Sequence, residues 1–298
     1  MGVVKGGIQL IEMAPRDGLQ SQNSRVPTQV KVAFIEALSE TGLLEIEAGA
    51  FVSPNAVPAM ADSLAVFQKI KRKKGVVYSA LVPNERGLEE ALKACVDKIA
   101  VFTAASETFN QKNINATIKE SLQRFLPVAS RAKALKLPLR GYVSTAFFCP
   151  YEGKIKPEAA LKVCLELLDL GVDEVSIGDT IGRASPNDVR RLLDLCLKKI
   201  PLKKIALHFH DTYGMAVANA LAAWEEYKVS RFDASSGGIG GCPYAPGASG
   251  NVSLEDLAFA FEASGGKSGI NLKKINAALN QIAPHLKTPF SSKLRKLS

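Results

Sequence analysis

Two of the chain's three histidines stand in one tripeptide, His208-Phe209-His210. They close the apolar run Lys204-Ile205-Ala206-Leu207-His208-Phe209-His210-Asp211, whose composition predicts a strand. Residues two apart on a strand project from the same face. The two imidazoles would therefore point the same way, where one metal ion could take both. Imidazole suits Zn, Fe, Mn and similar ions. The alternative is a pair of histidines hydrogen-bonded on a sheet face, and the tripeptide alone does not decide between them.

What must position these residues is legible in the pattern around them. Short apolar runs at 7–13, 43–48, 76–82, 98–103, 138–145, 173–178, 204–210 and 231–235 read as strands. Between them lie amphipathic helical patterns near 27–41, 57–71, 86–95, 115–135, 157–170, 187–199 and 214–227, and a last one begins near Ser253. Repeated strand–helix units imply a parallel sheet. Eight of them over this length predict a (β/α)8 TIM barrel. An open doubly wound sheet is the runner-up, but it wants a Gly-rich turn after its first strand, where this chain reads Met13-Ala14-Pro15-Arg16-Asp17-Gly18. We expect a barrel domain over 1–269 and a short C-terminal helical extension, 270–298, packed on it.

Chemistry in such a barrel gathers at the C-terminal ends of the strands. Five polar features fall there: Arg16-Asp17 after strand one, Glu47 near the end of strand two, Asp179-Thr180 after strand six, His208 and His210 ending strand seven, and a Gly-rich run from Gly237 to Asn251 carrying Cys242. Each has a plain structural reading as an ion pair, a cap or a tight turn. Their convergence on one mouth favours function. Asp17, His208, His210 and Asn251 could supply a carboxylate oxygen, two ring nitrogens and an amide oxygen. That mixed set suits Mg²⁺ or Mn²⁺, with Zn²⁺, Co²⁺ or Fe²⁺ as alternatives. Arg16 beside it could stabilise a developing oxyanion. Cys242 on a Gly-flanked loop could move a proton.

Composition narrows the classes. With 47% hydrophobic and 22% charged residues the chain can fill a globular core. No uncharged apolar stretch is long enough to span a bilayer, so no membrane partner is expected. The formal net charge of +9 comes largely from clusters such as Lys69 to Lys74 and Lys198 to Lys204, placed at expected helix C-termini where cations offset the helix dipole. No aromatic residues interleave with them, and no nucleic-acid motif is present. The five cysteines, Cys95, Cys149, Cys164, Cys196 and Cys242, are scattered and odd in number, which fits a reducing compartment. With no leader pattern before residue 7, a cytoplasmic protein is the expectation.

Several segments together resemble a known family. Pro15-Arg16-Asp17-Gly18-Leu19-Gln20, Glu47, His208-Phe209-His210-Asp211 and the run Gly240 to Asn251 resemble the 3-hydroxy-3-methylglutaryl-CoA lyase family. Phe51-Val52-Ser53-Pro54, Lys112 to Asn115, Arg140 to Ser144, Cys149 to Gly153 and Gly178 to Gly182 extend the likeness over nearly the whole chain. The family belongs to metal-dependent TIM-barrel lyases and synthases related to isopropylmalate and homocitrate synthases. The Arg-Asp-Gly and His-x-His elements are shared across that superfamily, whereas the cysteine loop is lyase-specific. The resemblance implies cleavage of 3-hydroxy-3-methylglutaryl-CoA to acetyl-CoA and acetoacetate. It implies Asp17, His208, His210 and Asn251 as ligands of a divalent metal, and Arg16, Cys242, Glu47 and Asp179 as catalytic residues. Within that set Arg16 faces the enolate, Cys242 protonates it, and Glu47 and Asp179 hold water, Arg16 or substrate. Glu255 matches a supporting acid. An acyl-CoA substrate and a homodimer are expected. Gln20-Ser21-Gln22, Gly49-Ala50, Asn55-Ala56 and Phe147-Phe148 depart from the family pattern and are expected to border the substrate mouth. A lyase for a longer branched 3-hydroxyglutaryl-CoA, or a synthase condensing acetyl-CoA with a 2-oxo acid, are the alternatives.

Overall fold

A computed structural model describes residues 7–22, 26–241 and 250–297. In it the eight apolar runs pair in parallel and close on themselves. The barrel strands are β1 (Gln9–Glu12), β2 (Glu45–Ala50), β3 (Val77–Leu81), β4 (Lys98–Ala104), β5 (Leu139–Ser144), β8 (Glu174–Asp179), β9 (Ile205–Phe209) and β10 (Arg231–Ala234). Their order around the barrel is β1-β10-β9-β8-β5-β4-β3-β2. The expected TIM barrel is therefore the fold. Its helices are α1 (Thr28–Ser39), α2 (Ser63–Lys69), α3 (Glu85–Lys93), α4 (Glu107–Ile114), α5 (Ile118–Leu135), α6 (Pro157–Asp169), α7 (Pro186–Cys196), α8 (Ala216–Tyr227), α9 (Leu254–Ala263) and α10 (Leu272–Ile282). Among the described residues no helix is long and apolar enough to cross a membrane.

Local chemistry sets where these helices begin. Thr117 and Ser185 form capping boxes with Glu120 and Asp188, so two otherwise unmatched amides at each start find oxygens. Ser253 accepts from the Asp256 amide and opens α9, as its sequence position suggested. Two elements were not anticipated. One is α4, capped by Ser106 and ended by Asn115 in the left-handed region at φ 48°. The other is a small antiparallel hairpin, β6 (Phe148–Cys149) with β7 (Gly153–Lys154), in the connection after β5.

Strand alternation sorts side chains between two faces. Gly141 of β5 has no room for a Cβ beyond contact with Leu167 of α6 and Val172, at 3.0 and 3.2 Å, so its face looks at the helices. Arg140 and Tyr142 then face the barrel interior, as do Glu174 and Ser176 of β8, His208 of β9 and Asp233 of β10. TIM-barrel interiors are ordinarily filled by branched apolar residues. Here the lower interior is a charge network: Lys98 pairs with Glu45 at 2.9 Å and with Glu174, which also receives Arg231. Both partners of Lys98 are buried with it, so each charge is matched where an unmatched one would be costly.

The C-terminal segment closes over the last strand. The Phe290 ring lies against Gly237, where an added Cβ would stand 2.4 Å from it, and the Ser291 amide donates to the Gly237 carbonyl at 2.9 Å. Lys293 Nζ reaches Asp211 just beyond β9 at 2.8 Å.

Candidate active site

The mouth is assembled from four connections. After β1, residues Ala14–Gly18 wind as a single π turn, with the Gly18 amide donating to the Met13 carbonyl at 3.1 Å. Such wide turns recur at functional sites. This one presents Arg16 and Asp17 side by side, and Glu12 holds it. One Glu12 oxygen accepts from the Ala14 amide at 2.8 Å and the Ser236 amide at 2.9 Å, and the other accepts the Ser236 hydroxyl. The turn after β1 is thus tied to the turn after β10.

Burial pushes the Glu12 carboxyl up to about 7, despite the donors around it. A folded pKa above the unfolded value near 4.5 favours folding at low pH, and that contribution is lost as pH rises through 7. Glu12→Gln carries no such loss. The stability difference between Glu12→Gln and the parent should therefore move in favour of the glutamine by roughly 2–3 kcal/mol from pH 5 to pH 8. Urea unfolding at the two pH values measures it; a constant difference would mean that Glu12 does not titrate in this range.

From the far side, β9 brings His208 and His210 together. Their Nε2 atoms are 3.2 Å apart and their ring centroids 5.2 Å. Residues 250–252 pass between the ends of β9 and β10: Asp211 N donates to Gly250 O at 2.8 Å and Val252 N to Phe209 O at 3.1 Å. This delivers Asn251 to the mouth beside His210, with which it forms an isolated bridge. Gly240 makes room, since a Cβ there would lie 2.7 Å from Asn251 Nδ2.

Asp17, His208 and His210 each turn one ligand atom inward, and these atoms lie within 4.8 Å of one another. Asn251 Nδ2 donates to Asp17 Oδ2 at 2.7 Å, while its Oδ1 is buried with no hydrogen-bond partner among the described residues. A buried amide oxygen in that condition is the atom a hard cation would satisfy. The donor set therefore fits a divalent metal. Burial would raise the Asp17 carboxyl, but the Arg16 guanidinium and the two histidines hold it below its usual range. Burial, then the neighbouring His208, pushes His210 down to about 3, so its ring is neutral, as a ligand must be.

Arg16 is buried between two carboxylates. Its Nη1 bonds Asp17 Oδ1 at 2.6 Å and its Nε bonds Glu47 Oε2. Burial opposes its charge, but Glu47 and Asp17 more than restore it. Glu47 lies in the middle of β2 rather than near its end, because a bulge after it carries the strand on to Ala50. Burial raises its carboxyl in spite of Arg16. Its other oxygen accepts the Tyr142 hydroxyl at 3.0 Å, and the Tyr142 ring lies 5.7 Å below the Arg16 guanidinium.

Asp179 is the last residue of β8 rather than part of the following loop. On the alternation it shares the outward face of Val175 and Ile177. Its oxygens accept the Arg183 and Ala184 amides at 3.1 and 2.9 Å, and burial pushes it up to about 7. It shapes the connection after β8, whose Gly182 passes so close that a Cβ would stand 2.7 Å from His210 O. Glu255 similarly accepts the Gly237 amide at 2.8 Å and the Ser253 hydroxyl at 3.2 Å. Cys242 lies outside the described residues.

Of the departures expected at the mouth, Gly49 turns its vacant side toward Ser63 and Phe67 of α2, and Phe147 is buried against Phe209. Both are packing positions. Tyr142, Arg140 and Asp233 were not singled out from the sequence as site residues. Their signal was a polar residue at every second position, Arg140-Gly141-Tyr142 and Arg231-Phe232-Asp233, in strands otherwise read as apolar.

The barrel, its polar mouth and the ligand cluster define a class: a TIM-barrel protein with a candidate divalent-metal site at the C-terminal ends of its strands. Residues 7–282 match the HMGL-like family model. A rat protein, hydroxymethylglutaryl-CoA lyase, mitochondrial, is 45% identical over 294 residues, covering 99% of this chain and 90% of its own. The crystal structure of hydroxymethylglutaryl-CoA lyase from Pseudomonas aeruginosa superposes with a TM-score of 0.95 at 42% identity, covering 98% of this chain and 97% of that one. An HMG-CoA lyase from Acinetobacter baumannii in complex with coenzyme A and 3-methylmalate gives a TM-score of 0.92 at 37% identity, covering 99% and 96%. The chain belongs to the HMGL-like family.

Proposed function

We propose that this chain is a carbon–carbon lyase that cleaves 3-hydroxy-3-methylglutaryl-CoA to acetyl-CoA and acetoacetate. The observation that carries the proposal is the Asp17–His208–His210 cluster, with Asn251 Oδ1 unsatisfied among the described residues and Arg16 held against Asp17. Near-complete coverage of the relatives above favours this over a synthase or a lyase for a longer acyl chain.

Asp17, His208, His210 and Asn251 would hold the metal, Mg²⁺ or Mn²⁺ in preference to softer ions because half the donors are oxygens. Bound there, a divalent ion supplies Lewis-acid polarisation of the substrate's 3-hydroxyl and a neighbouring oxygen. Loss of the hydroxyl proton and cleavage of the C2–C3 bond give acetoacetate and the enolate of acetyl-CoA. Arg16, fixed by Glu47 and Asp17, places a permanent cation for the enolate oxygen without reorganising during the reaction. Cys242 protonates C2 of the enolate, giving acetyl-CoA. Glu47 sets the Arg16 orientation, and Asp179 shapes the wall beside His210. Residues 270–298 form an extension to the barrel domain. A cytoplasmic site of action rests on the scattered cysteines, and a homodimer on the family resemblance alone.

The test is a substrate panel with the purified protein, reductant and Mg²⁺ or Mn²⁺. Acetyl-CoA is expected from 3-hydroxy-3-methylglutaryl-CoA, at a rate at least tenfold above that from longer branched analogues. Free CoA from acetyl-CoA plus a 2-oxo acid, with no cleavage, would assign a synthase instead.

A further inference from the structure

His208 and His210 differ in what stands behind them. The Nδ1 of His210 is buried and has no hydrogen-bond partner among the described residues. The Nδ1 of His208 faces Asp233 Oδ2 at 3.2 Å. Asp233 sits directly beside His208 in the register of β10 against β9. It is itself held on both oxygens: Oδ1 receives Arg140 Nη2 at 2.7 Å and Oδ2 receives the Ser176 hydroxyl at 2.8 Å. Arg140 is fully buried, packs 5.0 Å from the Tyr142 ring centroid, and is backed by Glu174 at 3.7 Å.

We infer that Asp233, oriented by Arg140 and Ser176, is a positioning residue that fixes the His208 ring with its proton on Nδ1 and its Nε2 lone pair turned into the metal site. A neutral imidazole has one donor and one acceptor nitrogen, and the partner of one decides which the other is. A carboxylate accepts only, so Nδ1 must be the donor. Carboxylates behind ligating histidines raise ligand basicity and hold the ring, and losing one costs roughly 10–100-fold in metal affinity. Arg140 and Ser176 keep that carboxylate from rotating away. The mouth thus has one pre-set ligand, His208, and one held by packing, His210. The inference rests on the metal reading above.

The chain's three histidines make the test clean. In ¹⁵N-histidine-labelled, metal-free protein, long-range ¹H–¹⁵N spectra should show the neutral His208 ring protonated on Nδ1. Asp233→Asn should lower Mn²⁺ affinity roughly 10–100-fold by calorimetry while saturating Mn²⁺ restores kcat. A neutral His208 protonated on Nε2 in the parent overturns the inference even if the variant does not fold. So does an Asp233→Asn affinity within threefold of the parent. If the parent binds no Mn²⁺ at all, the metal reading fails with it; binding that is indifferent to Asp233→Asn fails this inference alone.

Discussion

Arg16→Gln is expected to reduce kcat by about 10³-fold while the protein still binds its metal. Removing a single preorganised donor to a developing oxyanion costs about 10²–10³ in kcat, and in the proposed mechanism Arg16 brings a full charge to that role. Asp17 loses a counter-ion in the variant but keeps both oxygens for ligation, so Mn²⁺ affinity should stay within tenfold. The fold will feel the change too, because Arg16 is one partner of a buried ion pair with Glu47. Breaking such a pair from one side costs about 3–5 kcal/mol. Glu47 is already raised by burial, so it can relieve part of that cost by binding a proton. The double variant Arg16→Gln, Glu47→Gln separates the two effects. It should regain stability in urea unfolding and regain no turnover. A single variant with kcat within tenfold of the parent would remove Arg16 from the chemistry and leave it a structural cation.

The residues in this prediction show where sequence reasoning reached and where it stopped. Eight short apolar runs gave the barrel because each strand's outward face must pack on helices, and that face is apolar whatever the interior holds. The interior was missed for the same reason. Arg140, Tyr142, Glu174 and Asp233 alternate with apolar residues, and a run counted by its hydrophobic content hides them. The ligand cluster was legible because β-strand geometry places His208 and His210 on one face and the fold places Asp17 at the same mouth. Arg16 was legible as a cation beside it, but its grip by Glu47 depends on the π turn after β1. That winding is set by the Glu12 contact to the Ala14 amide and by the tie to Ser236, 224 positions away, which no local pattern encodes. Asp179 ends β8 at the mouth, but the alternation with Val175 and Ile177 turns its side chain to the outward face, where it accepts the Arg183 and Ala184 amides. Helix α4 escaped because Asn110, Gln111, Lys112 and Asn113 give it no clear apolar stripe. The β6–β7 hairpin escaped because two-residue strands carry no period.

His210→Ala should abolish most of the metal affinity, and with it turnover, without unfolding the protein. His210 is buried, and its Nε2 shares the cluster with His208 and Asp17. On the proposed ligand set its loss removes a direct ligand, so the drop in Mn²⁺ affinity should exceed the roughly 10–100-fold expected for the supporting role proposed for Asp233. Metal-free stability is a different matter. The truncation opens a small cavity, but it also removes a buried Nδ1 that has no partner among the described residues, and the two effects oppose each other. The metal-free variant should therefore melt close to the metal-free parent. The difference should emerge on adding Mn²⁺. A ligand at 100 times its Kd stabilises the folded state by about 2.7 kcal/mol, and the variant should lose nearly all of that increment at the same concentration. Since burial and His208 hold His210 near a pKa of about 3, its own protonation should not weaken metal binding between pH 6 and 8. His285, outside the cluster, is the internal control: His285→Ala should leave calorimetry and the metal-dependent melting shift unchanged. Parental Mn²⁺ affinity in His210→Ala would take His210 out of the ligand set and leave Asp17, His208 and Asn251 to hold the ion.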